Sequence, residues 1–330
     1  MLSAIQSHGS KNNFIIIDEN DIQFKPSDEA RTAWTKKLCG ETNTDGILFI
    51  TKSDSAQAKM RVFNSDGSEA SMCGNGLRCA ARYIAERDQV ESFEVETMKA
   101  VLHVEKVDEL YGDIPTYSVE ISPVLFDLKS LPLELADKKQ LILHPVPEWE
   151  SNCLYTALAV PNPHIITNVT VDLINSDSQE KLAASFNTEN EWFPDGVNVS
   201  YVVELAEGEF FVRTFERGVG FTNACGTAMS SSSLVQVLAG KWQTGEPINI
   251  FNDGGRVKCV VHGKDGQYDH IDLIGNATFT HQLALTLKKD GGADIQKVNE
   301  TGEEQAYEKM AEASKEYLSK MLPDLKLRQN

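Results

Sequence analysis

Cys73-Gly74 and Cys225-Gly226 each set a thiol directly before a glycine and ahead of a helical stretch. After the first, Leu77, Ala80, Ala81, Ile84 and Ala85 recur at helical spacing, and a small-residue stretch up to Gly240 follows the second. Each cysteine is therefore placed at a helix start. There the first backbone N–H groups lack intrahelical partners and the macrodipole is positive. A thiol so placed is biased toward thiolate, below its free pKa of about 8.5. The same N–H groups can cradle a carboxylate, and the glycine lets a ligand approach the backbone closely. Two such helix starts acting on one carbon would remove a proton from one face and return one to the other. That inverts a stereocentre, with N–H donors stabilising the carbanion and no metal or organic cofactor required.

The remaining thiols, Cys39, Cys79, Cys153 and Cys259, read as small packing residues. There is no C-x-x-C pair and no histidine at zinc-like spacing from two cysteines, so no metal site is expected, and a chain this large that does not open on a secretory signal is not expected to carry a disulfide framework.

The elements that must position these cysteines repeat along the chain. Apolar runs predict strands at 14–18, 46–51, 59–63, 92–97, 101–107 and 117–121, and a capped helix runs from 26 to a stop at Gly40. A Pro- and Leu-rich connection at 122–149 separates the halves. The second half predicts strands at 154–160, 164–167, 198–205, 209–215, 248–251, 257–261 and 270–274, with a helix at 177–186. The two cysteines are 225 − 73 = 152 residues apart, close to half of the 330-residue chain, which points to duplication. The expected organisation is a first half at 1–122 carrying Cys73, a second at 123–270 carrying Cys225, a closing strand at 271–287 returning to the first half, and a tail at 288–330. In that tail the glycine pairs predict a linker. Tyr307, Met310, Ala311, Ser314, Tyr317, Leu318, Met321 and Leu322 then share one face of an amphipathic helix ended by Pro323.

Composition bounds the function. Hydrophobic residues at 41% and charged residues at 24% exclude a disordered chain. The net charge of −18 argues against nucleic acid or an anionic membrane as partner. The first ten residues do not read as a secretory signal, and no apolar run nears the roughly 20 residues of a membrane helix. A cytoplasmic protein with reduced thiols is expected.

The segment Asn64-Ser-Asp-Gly-Ser-Glu-Ala-Ser-Met-Cys-Gly-Asn-Gly-Leu-Arg-Cys-Ala-Ala-Arg-Tyr83 closely resembles the first signature of the diaminopimelate epimerase family. Glu216-Arg-Gly-Val-Gly-Phe-Thr-Asn-Ala-Cys-Gly-Thr227 resembles the second. Blocks at 8–14, 162–164 and 195–199 follow the family order, and the resemblance runs from about 5 to 280. It implies an α+β fold of two similar domains, each a mixed or antiparallel sheet wrapped around a central helix. It also implies a pyridoxal-independent, cofactor-free epimerase interconverting LL- and meso-diaminopimelate, and a homodimer. By motif position Cys73 and Cys225 would be the proton donor and acceptor, with Gly74, Asn75, Gly226 and Thr227 on the carboxylate of the reacting carbon. Asn12, Asn64, Asn162, Asn198, Glu216 and Arg217 would hold the substrate, chiefly its distal end. His164 and Glu216 would tune the thiols.

The residue types suit that substrate independently of the resemblance. A distal ammonium wants an acceptor such as Glu216, and a distal carboxylate wants a guanidinium such as Arg217. The chain departs from the family pattern at Ser10-Lys11, where a Leu-Gly pair is usual, at 41–46, at Pro161 and at Phe221. Two other readings stand beside this one: a racemase of the same fold acting on proline, hydroxyproline or another amino acid, and a thiol redox or binding protein whose cysteines pair reversibly.

Overall fold

Apolar runs of the sequence become strands that pair in one order, used twice. The computed structural model describes residues 1–135, 138–150, 152–264 and 266–328. Positions 136 and 137 of the predicted connection and 329 and 330 of the predicted tail lie outside these. The helices are α1 (Asp28–Thr42), α2 (Gly74–Asp88), α3 (Val171–Asn175), α4 (Ser178–Phe186), α5 (Gly226–Leu238) and α6 (Glu304–Met321). The chain divides into one unit of Met1–Glu120 with Ile274–Met310, and another of Ile121–Leu273 with Ala311–Asn330.

In the first unit Leu2–Gly9 and Asn12–Asp18 form an antiparallel pair, and Gly46–Thr51 joins in parallel. Ala58–Asn64 then pairs antiparallel, Ser92–Glu96 parallel, and Val101–Val107 antiparallel. The second unit repeats each step. Leu154–Val160 and Asn162–Asn168 are antiparallel, and Asn198–Ala206 is parallel to the latter. Glu209–Glu216 is antiparallel, Pro247–Asn252 parallel, and Gly255–Lys264 antiparallel. Corresponding strands begin between 162 − 12 = 150 and 247 − 92 = 155 residues apart. Parallel neighbours need a crossover, so helices fall between the same strands in both units, and α2 and α5 occupy equivalent places.

Both of these helices are enclosed by their sheets. In α2 every residue from Gly74 to Arg82 is buried, and in α5 every one from Gly226 to Gln236. Each packs on strands of its own unit. In α5 four consecutive serines, Ser230 to Ser233, are fully buried; two of them turn their hydroxyls back onto helix carbonyls, Ser230 to Gly226 and Ser233 to Ser230. Outer cores complete the layers: Trp34, Leu38, Phe49 and Leu285 in the first unit, Trp149, Tyr155, Phe186 and Phe211 in the second.

Three local expectations are corrected. Helix α1 does not stop at Gly40 but runs to Thr42, where Asn43 takes the left-handed cap (φ 54°). The first strand, Leu2–Gly9, carries Gln6, Ser7 and His8 buried, a polarity that hid it from an apolar-run reading. The predicted linker is instead the strand Ala293–Glu300, paired with Thr278–Leu287, which itself pairs with Leu2–Gly9. Its polar sequence needs a partner strand to be legible as β structure.

Helix α6 buries the centre of the predicted face, but Met321 at its end is exposed. Tyr307 and Met310 are buried in the first unit, Ser314 and Leu318 in the second, where Tyr317 stacks on Phe251 at 5.1 Å. Beyond it, the Lys326 carbonyl accepts from the buried Arg213, and the Arg328 N–H donates to Asp253. Among the described residues no helix is long and apolar enough to cross a membrane.

Candidate active site

Cys73 is the N-cap residue of α2, in extended conformation, and its sulfur accepts from the Gly76 N–H at 3.4 Å. This is the geometry that the Cys-Gly spacing predicts, with Gly74 and Asn75 as the first helical residues. The thiol lies 3.5 Å from Asn12 Oδ1. Asn12 in turn donates from Nδ2 to Asp45 at 2.8 Å, and the same carboxylate oxygen accepts the Asn13 N–H at 2.7 Å. Asp45 is a residue that motif reading passed over; its only signal was an Asp-Gly pair before a strand. Asn75 is buried and accepts from Arg78, which also reaches Ser10 Oγ and the Asn276 carbonyl. Gly9 is required where it stands, because a Cβ there would sit 2.7 Å from the Asn75 carbonyl oxygen. Asn64 ends its strand exposed, donating to Ser68 Oγ at 3.0 Å.

The second unit surrounds its cysteine with different groups. Cys225 is the N-cap residue of α5 and is 7% exposed, whereas Cys73 is half-buried. Its sulfur lies 3.4 Å from Thr227 Oγ1, and that hydroxyl lies 3.0 Å from His164 Nε2. Glu216 lies beside the thiol and accepts from Thr222 at 2.5 Å. Contrary to the lowering expected at a helix start, burial holds the Cys225 thiol well above its ordinary pKa, and the Glu216 carboxylate adds to that. Burial also raises Glu216, opposed by hydrogen bonds from Thr222 and Cys225. His164 is fully buried, and desolvation followed by the charge of Arg217 lowers it to about 3, so it stands neutral. Its Nδ1 has no hydrogen-bond partner among the described residues. Asn198 accepts the Arg217 N–H at 2.8 Å, and the exposed Arg217 guanidinium donates to the Asp195 carbonyl at 2.7 Å. Asn162 is half-buried at the head of its strand, two residues before His164.

Thus Asn12, Gly74 and Asn75 gather around Cys73, with Asn64 at the end of a neighbouring strand. Thr227, His164 and Glu216 gather around Cys225, and Asn198 supports Arg217. The four other cysteines are buried, with Cys39, Cys79 and Cys153 pushed up by burial, Cys79 to about 11. Such protonated thiols suit packing. One group among the described residues has the composition of a divalent-cation site: His262, His270 and Asp272. The 2.7 Å His262–Asp272 hydrogen bond and the stacking of the two imidazoles at 4.4 Å already account for its closeness.

Known proteins resemble this chain over most of its length. The family model described as diaminopimelate epimerase matches residues 4–111 and 156–280. A protein named diaminopimelate epimerase from Listeria innocua is 46% identical over 319 residues, covering 94% of this chain and 96% of that protein. One of the same name from Enterococcus faecalis is 43% identical over 311 residues, covering 91% and 95%. Among solved structures, a Bacillus anthracis phenazine biosynthesis protein of the PhzF family aligns with a TM-score of 0.60 at 16% identity, covering 85% of this chain and 97% of that one. A hydroxyproline epimerase from Agrobacterium vitis aligns with a TM-score of 0.58 at 12% identity, covering 90% and 91%. At such identities the structures speak for the α+β fold alone. The sequence matches span most of the chain and both cysteine signatures, and the chain belongs to the diaminopimelate epimerase family.

Proposed function

We propose that this protein is an isomerase that interconverts LL- and meso-2,6-diaminopimelate by a two-base proton transfer between Cys73 and Cys225, a step of lysine and cell-wall precursor synthesis. One observation carries the reading. Each unit presents a cysteine as N-cap of its enclosed helix, at corresponding points of a repeated topology. On this reading each half of the chain supplies one thiol to the reaction.

In the forward direction one cysteine, as thiolate, takes the α-proton and becomes a thiol. The electron pair stays on the α-carbon, spread into its carboxylate, which the N–H groups of Gly74, Asn75, Gly226 and Thr227 receive. The opposite cysteine, as thiol, delivers its proton to the other face and is left as thiolate. One proton is removed and one returned, so the configuration inverts without net change. Direction decides which cysteine is the base. Asn12, Asn64, Asn162, Asn198, Glu216 and Arg217 would hold the substrate, the last two reading the distal ammonium and carboxylate. Neutral His164 would act on Cys225 through the Thr227 hydroxyl. A homodimer in the cytoplasm completes the reading, on the family resemblance alone.

Incubating the pure protein with LL-diaminopimelate in deuterated water, without pyridoxal phosphate, should yield meso product carrying deuterium at the inverted carbon. Absence of that product would sink the assignment. Faster turnover of proline or hydroxyproline under the same conditions would favour the racemase reading.

A further inference from the structure

We propose that the first turn of α6 is a positioning device for Asn12. Glu304 and Tyr307 hold the Ser10–Lys11 turn in its left-handed form, and the turn sets Asn12 against the Cys73 thiol. The inference rests on the reading that Cys73 works in epimerisation, and it adds a part of the chain beyond residue 280, outside the stretch that the family model matches.

The turn joins Leu2–Gly9 to Asn12–Asp18, with Gly9 paired to Asn12, so only two residues form the loop. Both lie in the left-handed region, Ser10 at φ 55° and Lys11 at φ 66°. A two-residue loop with positive φ at both positions is favoured by Asn-Gly; a serine followed by a lysine must be held there by its surroundings.

Those surroundings are specific. The Ser10 N–H donates to Asn276 Oδ1 at 2.8 Å, and the Lys11 N–H donates to His8 Nδ1 at 3.2 Å. With Nδ1 accepting, the His8 proton sits on Nε2, which donates to Glu304 at 2.8 Å. The other oxygen of Glu304 receives the Lys11 ammonium, which also lies 5.1 Å from the centre of the Tyr307 ring. That ring meets the buried His8 imidazole edge-on at 4.6 Å. One carboxylate therefore grips the residue two before the turn's first φ-positive partner ends and the lysine that closes it, His8 and Lys11.

The neighbouring glutamate fixes the other side. Glu303 takes Arg82 of α2 through both oxygens, at 2.5 and 2.8 Å, and Arg82 stacks 3.8 Å from the centre of Phe279. Two consecutive glutamates thus tie together the helix that begins at Cys73 and the turn that delivers Asn12. Nothing in the spacing of the sequence signals this, since Glu304 and Asn12 are separated by most of the chain.

The test is Glu304→Ala in the full-length protein, with two readouts: steady-state kinetics on diaminopimelate, and the alkylation rates of Cys73 and Cys225 by iodoacetamide, followed by peptide mass spectrometry. Loosening Asn12 should lower kcat/KM about tenfold, mostly in kcat. It should speed Cys73 alkylation about fivefold, as an ordinary hydrogen bond to the thiol is lost, and leave Cys225 alkylation unchanged. Adding Lys11→Gly, which accepts the left-handed conformation without support, should return both values to within about twofold of wild type. Wild-type kinetics and Cys73 reactivity in Glu304→Ala would overturn the proposal, and so would a loss that Lys11→Gly does not relieve. If Glu304→Ala folds poorly, Glu304→Gln keeps the bond to His8 while removing the charge that draws Lys11, and an intermediate loss is expected. Should the wild-type protein not epimerise at all, the proposed function fails, while the Cys73 alkylation series still decides the clamp.

Discussion

In the first unit Phe14 pairs with Gly46 and Gly46 with Asn64, one row across three strands. In the second, His164 pairs with Asn198, and Glu216 ends the next strand, one residue beyond the Val199–Phe215 pair. Each row ends nine residues before its cysteine, at 64 and 73 and at 216 and 225. The register is the same, but an aromatic, a glycine and an amide in one unit are replaced by an imidazole, an amide and a carboxylate in the other. Cys73 has Asn12 Oδ1 and the Gly76 N–H beside its sulfur. Cys225 is buried with a carboxylate that holds its proton on and offers a nearby acceptor for it. Repetition thus supplies the same helix start twice, and the groups placed beside each thiol differ.

Removing either thiol tests whether the two cysteines share one reaction. Cys73→Ala and Cys225→Ala should each lower kcat/KM for diaminopimelate by about 10³–10⁴-fold, with melting temperatures close to wild type. If either variant kept a tenth of the activity, the two cysteines could not be equal partners. A smaller effect should come from the carboxylate. Glu216→Gln is expected to cost about 10²-fold in kcat/KM. It should nevertheless speed iodoacetamide alkylation of Cys225 at pH 8, because the charge opposing thiolate formation is gone. Unchanged or slower alkylation would show that Glu216 does not control this thiol.

The smallest effect concerns stability. His164 is lowered from 6.5 to about 3 by burial and by Arg217, so between these values the unfolded chain binds a proton that the folded one refuses. The native state therefore gains its full advantage above pH 6.5 and loses it as pH falls, at up to about 1.4 kcal/mol per pH unit. In urea unfolding, the stability lost between pH 7 and pH 5 should be about 2 kcal/mol smaller in His164→Gln than in wild type. An equal loss in both would mean that the histidine is solvated or charged. Phe14, its counterpart in the first unit, has no such titration.

Local chemistry was readable from the sequence wherever it depends on neighbours in the chain. The Cys-Gly helix starts, the helical spacing after them, the turn before each and the 152-residue offset are properties of short segments, and the structure places both cysteines as N-caps. So is the amphipathic face of α6, whose Tyr307, Met310 and Leu318 are all buried. The spacing of the two cysteines also pointed to a repeat, which the strand order displays. Tertiary structure alone decided which polar groups serve which thiol. Asp45 meets Asn12, Thr227 meets His164, and Glu304 meets His8 and Lys11 only because strand register and helix packing bring distant segments together. A slip of one residue in any of those strands would turn the side chain to the opposite face, and no local pattern records which partner stands there. For the same reason the polar strands Leu2–Gly9 and Ala293–Glu300 were not visible beforehand: what makes them strands is the edge they pair with.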